Sequence, residues 1–188
     1  MQLAVLFCVA CDGGLADEAT VPASRVVQAV TCDVALARYP VMGRHNNGYD
    51  STAGDHSQWS CGDANSNSDF VAGDHLGNDI WAEEGTPVVA TVAGQLTLTG
   101  FSDYSGNKVT LVDDCGWYHF YAHLQSIAPG MVDGVRVQPG DVVGAVGNTG
   151  TASNGVIHLH YSIYPDGNYD AGINPWPALH AVEQNVCA

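Results

Sequence analysis

The sequence is poor in positive charge. Lys and Arg account for five of its 188 residues, against twenty Asp and Glu, so that the formal net charge is −15. Proteins that bind nucleic acid need clustered Lys and Arg side chains to neutralise phosphates, so this balance argues against DNA or RNA as a partner. Long apolar runs are also missing, since none reaches the roughly 20 residues that a membrane-spanning helix needs. The excess of carboxylates indicates instead a hydrated, self-repelling surface.

The sequence also lacks a helical period that persists for three turns. From Phe70 onward, short β-branched and aromatic runs alternate with Gly-containing turns, which is typical of an antiparallel β fold. The predicted strands span residues 87–92, 95–99, 108–112, 117–124, 142–146 and 158–164. We therefore expect a single all-β domain of mostly antiparallel sheets with long loops, little helix and irregular structure after Pro165.

The predicted strand over residues 117–124 has two dissimilar faces. Alternation places one set on one face, namely His119, Tyr121 and His123, and a second set on the other, namely Tyr118, Phe120, Ala122 and Leu124. We interpret the second set as core and the first as a wet or functional face. Among these, His119 is interpreted as a solvent or rim residue. His45, His56 and His180 are interpreted as surface histidines.

The first ten residues are apolar except for Gln2 and contain no Lys or Arg. They resemble the apolar part of an export signal, without the usual positive start. Val9-Ala10-Cys11 resembles a bacterial lipobox, in which the cysteine carries lipid after cleavage. A lipid anchor at Cys11, an ordinary cleaved signal and a buried terminal strand all stay open. We divide the chain into a leader at 1–11, a tail or pre-domain segment at 12–42, and one domain at 43–188 with its motifs in 75–175.

The number and spacing of the cysteines are typical of an exported protein. Four of them lie outside the leader, namely Cys32, Cys61, Cys115 and Cys187. This even number permits two disulfides in three connectivities. None of the four belongs to a Cys-x-x-Cys pair, so a structural zinc knuckle is not expected. An oxidising compartment is favoured.

Two short histidine motifs predict a metal site. In His158-Leu-His160, strand alternation places both imidazoles on one face about 6.6 Å apart, so that one can bind a metal while the other faces the substrate. In His75-Leu-Gly-Asn-Asp79, the outer residues would lie about 13 Å apart on an ideal strand. They can share an ion only if the chain bends, and Gly77-Asn78 tolerates a bend. Two histidines and one aspartate suit zinc and leave one coordination position open.

Hydrolysis at such a site also needs a base for water and a proton donor for the departing amine. A free imidazole titrates in the useful pH range. His123 and the non-ligating member of the His158/His160 pair are the candidates for these two tasks.

Together these motifs resemble those of the lysostaphin and LytM type of zinc endopeptidase, a family that cuts bacterial cell walls. The resemblance covers more than half of the chain in the family's order. The matching segments are His75-x-Gly-x-Asp79, Gly85-Thr-Pro-Val88 with Ala90 and Gly94, Tyr121-Ala-His123-Leu124, Val137-Gln-Pro-Gly140-Asp141 with Gly144 and Gly147, Thr149-Gly150, and His158-Leu-His160.

The resemblance implies that His75, Asp79 and His160 bind one zinc ion, while His123 and His158 act on the water and the tetrahedral intermediate. Which of these two is the general base stays open. It further implies a groove of the barrel-sandwich hybrid type, a peptide substrate in peptidoglycan, and export to the periplasm, the envelope or the medium. We expect a monomer.

One departure from the family pattern affects substrate preference. The family commonly has Ser-Thr-Gly-Pro before its His-x-His motif, where this chain has residues 152–157 with the sequence Ala-Ser-Asn-Gly-Val-Ile. Two alternatives to a peptidoglycan endopeptidase also stay open: a non-catalytic activator of cell-wall amidases that binds through the groove, and a secreted zinc protease that acts on other proteins. Residues 43–69, which include His45 and Trp59, are in addition candidates for covering and inhibiting the groove.

Overall fold

The structure is a computed structural model, and it describes residues 32–48, 54–62, 67–155, 157–184 and 186–187. The predicted leader at 1–11, with Cys11, lies outside the described residues, as do residues 12–31 of the predicted pre-domain segment. No helix of the described part has the length and apolar character needed to cross a membrane.

The described chain folds into ten strands and one short α-helix. The strands are β1 (His45–Asn47), β2 (Asn78–Ala82), β3 (Pro87–Val89), β4 (Gly94–Ser102), β5 (Gly106–Asp113), β6 (Trp117–Leu124), β7 (Ser126–Ile127), β8 (Arg136–Val137), β9 (Val142–Ala145) and β10 (His158–Pro165). Helix α1 spans Trp176–Val182, and single turns of 3₁₀-helix lie at His56–Gln58, Gly150–Asn154 and Tyr169–Ala171. All six predicted strands are present with small shifts at their ends.

Two antiparallel sheets organise the fold. The larger has seven strands in the order β1-β2-β10-β6-β5-β4-β8, and the smaller has three in the order β3-β9-β7. All pairings between these strands are antiparallel. Neither sheet closes on itself within the described residues, so the groove does not belong to a closed barrel. The prediction of an all-β, mostly antiparallel fold is confirmed.

The two sheets share one hydrophobic core. Val88 and Val143 from the smaller sheet and Tyr121, Tyr161 and Ile163 from the larger sheet are all fully buried in one cluster. The two tyrosine hydroxyls do not lie unpaired there, because the Thr91 hydroxyl is 2.8 Å from Tyr121 Oη and 3.0 Å from Tyr161 Oη. The core therefore lies on the face of β6 and β10 that carries these tyrosines.

The predicted assignment of the faces of β6 is wrong over residues 119–122. Tyr121 and His119 point into the core, whereas Phe120 and Ala122 line a groove on the opposite face. His119 is 1% exposed, and its Nδ1 lies 2.8 Å from Tyr161 Oη. Both faces of this strand carry aromatic and polar groups, so alternation alone does not reveal which face is buried.

A β-bulge nevertheless turns His123 into the groove. Strand β5 pairs Asn107 with Leu124 and Val109 with Tyr121, so that two residues of β6 lie opposite one residue of β5. His123 adopts a left-handed backbone conformation with φ of 61°. Because a bulge shifts the alternation by one residue, His123 leaves the core-facing set and joins Ala122 on the groove side.

Residues 36–41 of the predicted pre-domain segment pack into the core. Leu36, Tyr39 and Val41 are buried there, and the Val89 amide donates to the Pro40 carbonyl at 2.8 Å. We propose that the domain boundary lies before Leu36.

Histidine 45 is buried and not a surface residue as predicted. It is 2% exposed, and its Nε2 lies 2.7 Å from the Glu183 carboxylate. This contact joins β1 to the end of α1. The prediction failed because the partner lies 138 positions away in sequence, and the sequence pattern around His45 cannot identify so distant a contact.

The end of the chain is more regular than predicted. Residues expected to be irregular form α1, in which Pro177 occupies the first turn, where the missing N–H has no helical partner to lose. Two disulfides pair Cys32 with Cys115 and Cys61 with Cys187, with Cα–Cα distances of 5.4 and 5.3 Å.

Candidate metal and catalytic site

A groove of about 510 Å³ lies on the face of the larger sheet that is remote from the core. Strand β10 contributes His158 and His160, β6 contributes Phe120, Ala122 and His123, and β2 contributes Asp79 to its lining. These strands are neighbours, and the register pairs His160 with both Asp79 and Ala122. Antiparallel pairing therefore brings residues from distant parts of the sequence together on the floor of the groove.

Three of the predicted residues form a compact set of possible metal ligands. His75 Nε2 lies 3.2 Å from Asp79 Oδ1 and 3.1 Å from His160 Nδ1, and His160 Nδ1 lies 2.9 Å from Asp79 Oδ1. Zinc bonds to nitrogen and oxygen are about 2.0–2.1 Å long, which at tetrahedral angles separates ligand atoms by about 3.3 Å. The three atoms therefore converge at nearly the spacing that one zinc ion needs.

Hydrogen bonds orient both imidazoles of this set. His75 Nδ1 lies 2.9 Å from the Asp69 carbonyl; a carbonyl only accepts, so Nδ1 carries a proton and Nε2 is the nitrogen available to a metal. His160 presents Nδ1 to the set, while its Nε2 lies 2.8 Å from Ser162 Oγ. Such supporting contacts are typical of histidines that ligate metals.

Gly77 has a function besides the predicted tolerance of a bend. A Cβ at this position would lie 2.5 Å from two atoms of the His160 ring and 2.7 Å from Ser162 Oγ. The glycine is therefore required because the imidazole approaches the backbone closely. The chain does bend between His75 and Asp79, as the predicted shared site demands, since β2 begins only at Asn78.

Asp79 and its neighbours have strongly shifted acidities. Burial alone would raise the pKa of Asp79, but hydrogen bonds to the rings of His160 and His75 outweigh it and hold that pKa well below its usual range. The same hydrogen bond to Asp79 raises the pKa of His75 to about 9. Burial, followed by the charge of Asp79, raises the pKa of Asp69 to about 6. The site thus concentrates one ionised carboxylate where a cation would bind.

His123 and His158 lie together beside the ligand set. Their ring centroids are 5.0 Å apart, and that of His123 is 6.1 Å from that of His160. His158 Nε2 is 3.7 Å from the second oxygen of Asp79. The structure thus brings all five predicted site residues into one groove.

The two imidazoles outside the ligand set differ in their surroundings. His123 Nδ1 lies 2.9 Å from the Thr149 carbonyl, so this nitrogen carries a proton and Nε2 keeps its lone pair. Burial, followed by the charge of His158, lowers the pKa of His123 to about 4. The ring of His158 instead lies 5.8 Å from that of Trp81. His123 is therefore neutral and able to accept a proton at neutral pH.

Several supporting residues were missed in the sequence. Asp69, Thr149, Ser162 and Tyr169 each contact one of the site histidines. Only Thr149 falls within a motif, and none of the four has a side chain that by itself indicates a site.

One wall of the groove is formed by the β4–β5 hairpin and the segment before β10. The Thr151 amide and hydroxyl both donate to the Tyr104 carbonyl at 3.0 Å. Thr151 and Ala152 line the groove, and these residues lie in or next to the stretch that departs from the family pattern. Of the described residues between 43 and 69, none lines the groove; Trp59 instead packs against Trp81.

Comparison with known proteins identifies the family. A model described as Peptidase family M23 matches residues 73–174, more than half of the chain. The chain belongs to peptidase family M23. The resemblance to lysostaphin-type enzymes that the motifs indicated is thereby confirmed.

Individual curated relatives each match part of this chain. The L-Ala--D-Glu endopeptidase of Bacillus subtilis (strain 168) is 37% identical over 116 residues, covering 58% of this chain and 36% of that protein. Peptidoglycan DD-endopeptidase ShyC of Vibrio cholerae serotype O1 is 31% identical over 93 residues, covering 50% of this chain and 21% of that protein. The chain thus spans about a third of the first relative and about a fifth of the second.

A solved structure shows the same fold. The catalytic domain of the antimicrobial peptidase lysostaphin from Staphylococcus simulans aligns with a TM-score of 0.51 and 30% identity, over 56% of this chain and 78% of that domain.

Proposed function

We propose that this chain is an exported, zinc-dependent endopeptidase that hydrolyses peptide bonds in the stem peptides or cross-bridges of peptidoglycan. The observation that carries this proposal is the convergence of His75, Asp79 and His160 within 3.2 Å of one another, beside two further imidazoles, in the groove of an M23 fold. The relatives named as endopeptidases supply the substrate class.

In this proposal His75 Nε2, Asp79 Oδ1 and His160 Nδ1 hold the ion. Bound zinc supplies Lewis acidity, which polarises the scissile carbonyl and lowers the pKa of water at the site. His123 takes a proton from the attacking water through Nε2, because Nδ1 is bonded to the Thr149 carbonyl, and then passes this proton to the departing amine. His158, whose ring lies 5.0 Å from that of His123, donates a hydrogen bond to the oxygen that becomes negative during attack.

The compartment follows from the same proposal. Peptidoglycan lies outside the cytoplasm, and the two disulfides are of the kind that persists in oxidising surroundings. We therefore propose export to the periplasm, the envelope or the medium, with Cys11 as a candidate lipid anchor, and action as a monomer. The covering function considered for residues 43–69 stays a prediction.

The decisive experiment combines metal analysis with product analysis. The purified full chain should contain about one zinc per molecule, and it should release from purified sacculi peptides whose masses identify the bond cleaved. His123→Ala should lower kcat/KM by about 10²–10⁴-fold while zinc content stays the same. His56→Ala is the matched control, because His56 is exposed and does not line the groove.

Three results would contradict parts of the proposal. Full activity of His123→Ala on sacculi would remove His123 from catalysis. Faster cleavage of glycine-rich proteins than of sacculi would favour a protease that acts on other proteins. A metal-free chain that cleaves nothing yet stimulates a separate amidase would favour the activator function.

A further inference from the structure

The His160 imidazole is held at both of its nitrogens. Nδ1 faces Asp79 and His75, as described above. Nε2 lies 2.8 Å from Ser162 Oγ and 3.2 Å from Tyr169 Oη. If Nδ1 is to offer its lone pair to a metal, the ring proton must be on Nε2, where both hydroxyl oxygens are placed to accept it.

We propose that Ser162 and Tyr169 are positioning residues, which together form a two-oxygen clasp on Nε2 of His160 and keep Nδ1 directed at the metal. The inference rests on the proposed zinc site and deepens it. Neither hydroxyl needs to contact the ion or the peptide for this task, since both act through the imidazole. A single N–H shared between two acceptors keeps a partner even when one of them moves away.

The two halves of the clasp are built in different ways. Ser162 is fully buried, lies on β10 two residues after His160, and faces the same side of the sheet. Tyr169 arrives from the 3₁₀ turn that follows β10 and lines the groove. One half is therefore part of the strand that carries the ligand, and the other closes over the ring from a separate segment.

Tyr169 keeps its position without its hydroxyl. Its ring packs edge-on against Phe120 at 5.8 Å and against Tyr164 at 5.4 Å between centroids. Tyr169→Phe should preserve these contacts and remove only the oxygen that faces His160. The variant therefore tests the clasp by removing a single oxygen atom from a half-buried side chain, and we expect it to fold like the wild type.

The test measures zinc affinity of the purified full chain by competition with a chromophoric chelator. We expect Ser162→Ala and Tyr169→Phe each to weaken zinc binding, with the loss in the double variant larger than the product of the single losses and reaching about 10- to 100-fold or more. The excess arises because the double variant leaves a buried N–H without an acceptor. Tyr164→Phe is the matched control: it removes a tyrosine hydroxyl from the same aromatic cluster, without a contact to His160, and should bind zinc like the wild type.

A second readout separates positioning from simple stabilisation. The increase in melting temperature that zinc produces should be smaller in the double variant than in the wild type, each measured against its own metal-free protein. In the cobalt-loaded proteins, the visible absorption band should shift in the Ser162→Ala and Tyr169→Phe variants and not in Tyr164→Phe.

The clasp is overturned if the double variant binds zinc within threefold of the wild type, or if Tyr164→Phe loses as much affinity as Tyr169→Phe. These measurements need no peptidoglycan. Unchanged affinity in the variants would therefore leave the proposed endopeptidase intact, and a wild type that binds zinc but cleaves no sacculi would leave the clasp intact.

Discussion

At the scale of single residues, backbone carbonyls select the reactive nitrogen of two imidazoles. The Asp69 carbonyl accepts the Nδ1 proton of His75, and the Thr149 carbonyl accepts that of His123. In both rings Nε2 is thereby directed to the groove, in one case toward the proposed metal position and in the other toward the proposed substrate. A backbone carbonyl from any residue type can accept this proton, so the task does not depend on the side chain of the residue that supplies the carbonyl.

The raised pKa of His75 predicts that zinc binding is coupled to proton release. In the metal-free protein this pKa is about 9 because the ring donates a hydrogen bond to Asp79. An imidazolium cannot ligate, so zinc must displace that proton below pH 9. We expect release of about one proton per zinc at pH 7, and an apparent affinity that rises about tenfold per pH unit up to pH 9. Titration calorimetry in two buffers of different ionisation enthalpy measures the released proton.

The sign of the linked stability effect follows from the same shift. Protonated His75 stabilises the metal-free fold fully below its unfolded pKa of 6.5, and this contribution is lost as the pH rises through about 9.

Binding heats that are the same in both buffers would contradict the coupling of zinc binding to proton release. The His56→Ala variant should release as many protons as the wild type.

At the scale of elements, strand β6 serves both the core and the groove because of its bulge. His119 and Tyr121 belong to the core face, and two residues later His123 points to the groove. The left-handed conformation of His123, with φ of 61°, is unfavourable for any residue with a Cβ. Such strain is typical of functional sites, where the surrounding structure maintains it.

The bulge predicts an unusual order of stability for two variants of His123. His123→Gly should be more stable than His123→Ala by about 1 kcal/mol, because glycine adopts positive φ without steric cost. Urea unfolding of the metal-free proteins with intact disulfides measures the difference. Gln95 provides the matched control on an exposed position of β4, where the Gly variant should be less stable than the Ala variant by about 0.5–1 kcal/mol. The same order at both positions would contradict a strained His123.

At the scale of the whole molecule, long-range links tie the ends of the described chain to the sheets. The disulfide Cys32–Cys115 joins the first described residue to the turn between β5 and β6, and Cys61–Cys187 joins the segment after β1 to the residues beyond α1. The buried pair of His45 and Glu183 connects the same two regions as the second disulfide. None of these links lies on β2 or β10, the strands that carry the proposed ligands Asp79 and His160.

Removal of the second disulfide should therefore lower stability and spare the site. Cys61 and Cys187 are 126 positions apart, and a loop of this order contributes about 2–5 kcal/mol through the entropy of the unfolded chain. We expect the double variant Cys61→Ser, Cys187→Ser to lose about that much free energy of unfolding in urea, with zinc affinity within threefold of the wild type. A large loss of zinc affinity in the folded variant would show that the C-terminal link also positions the site.

Much of this fold could be predicted from the sequence where the signal is local. The strands from β3 to β6, together with β9 and β10, have runs of β-branched and aromatic residues bounded by glycine turns, and these were located. Strands β1, β7 and β8 have two or three residues each, too few for alternation to be recognised. Helix α1 was missed because its 7 residues begin with Trp-Pro, which resembles a loop.

The five residues proposed for the site were also named from the sequence. Metal chemistry, which restricts ligands to a few residue types, indicated His75, Asp79 and the His158/His160 pair, and the resemblance to the family added the separate roles of these residues and of His123. Only the tertiary structure decided which face of β6 is buried, how the four cysteines pair, and why Gly77 must be a glycine. It also decided which atoms hold each imidazole, from Asp69 and Thr149 to the clasp of Ser162 and Tyr169. These features depend on contacts between segments that are distant in sequence. Such a contact produces no periodic pattern in the sequence of either segment, so neither segment alone predicts it.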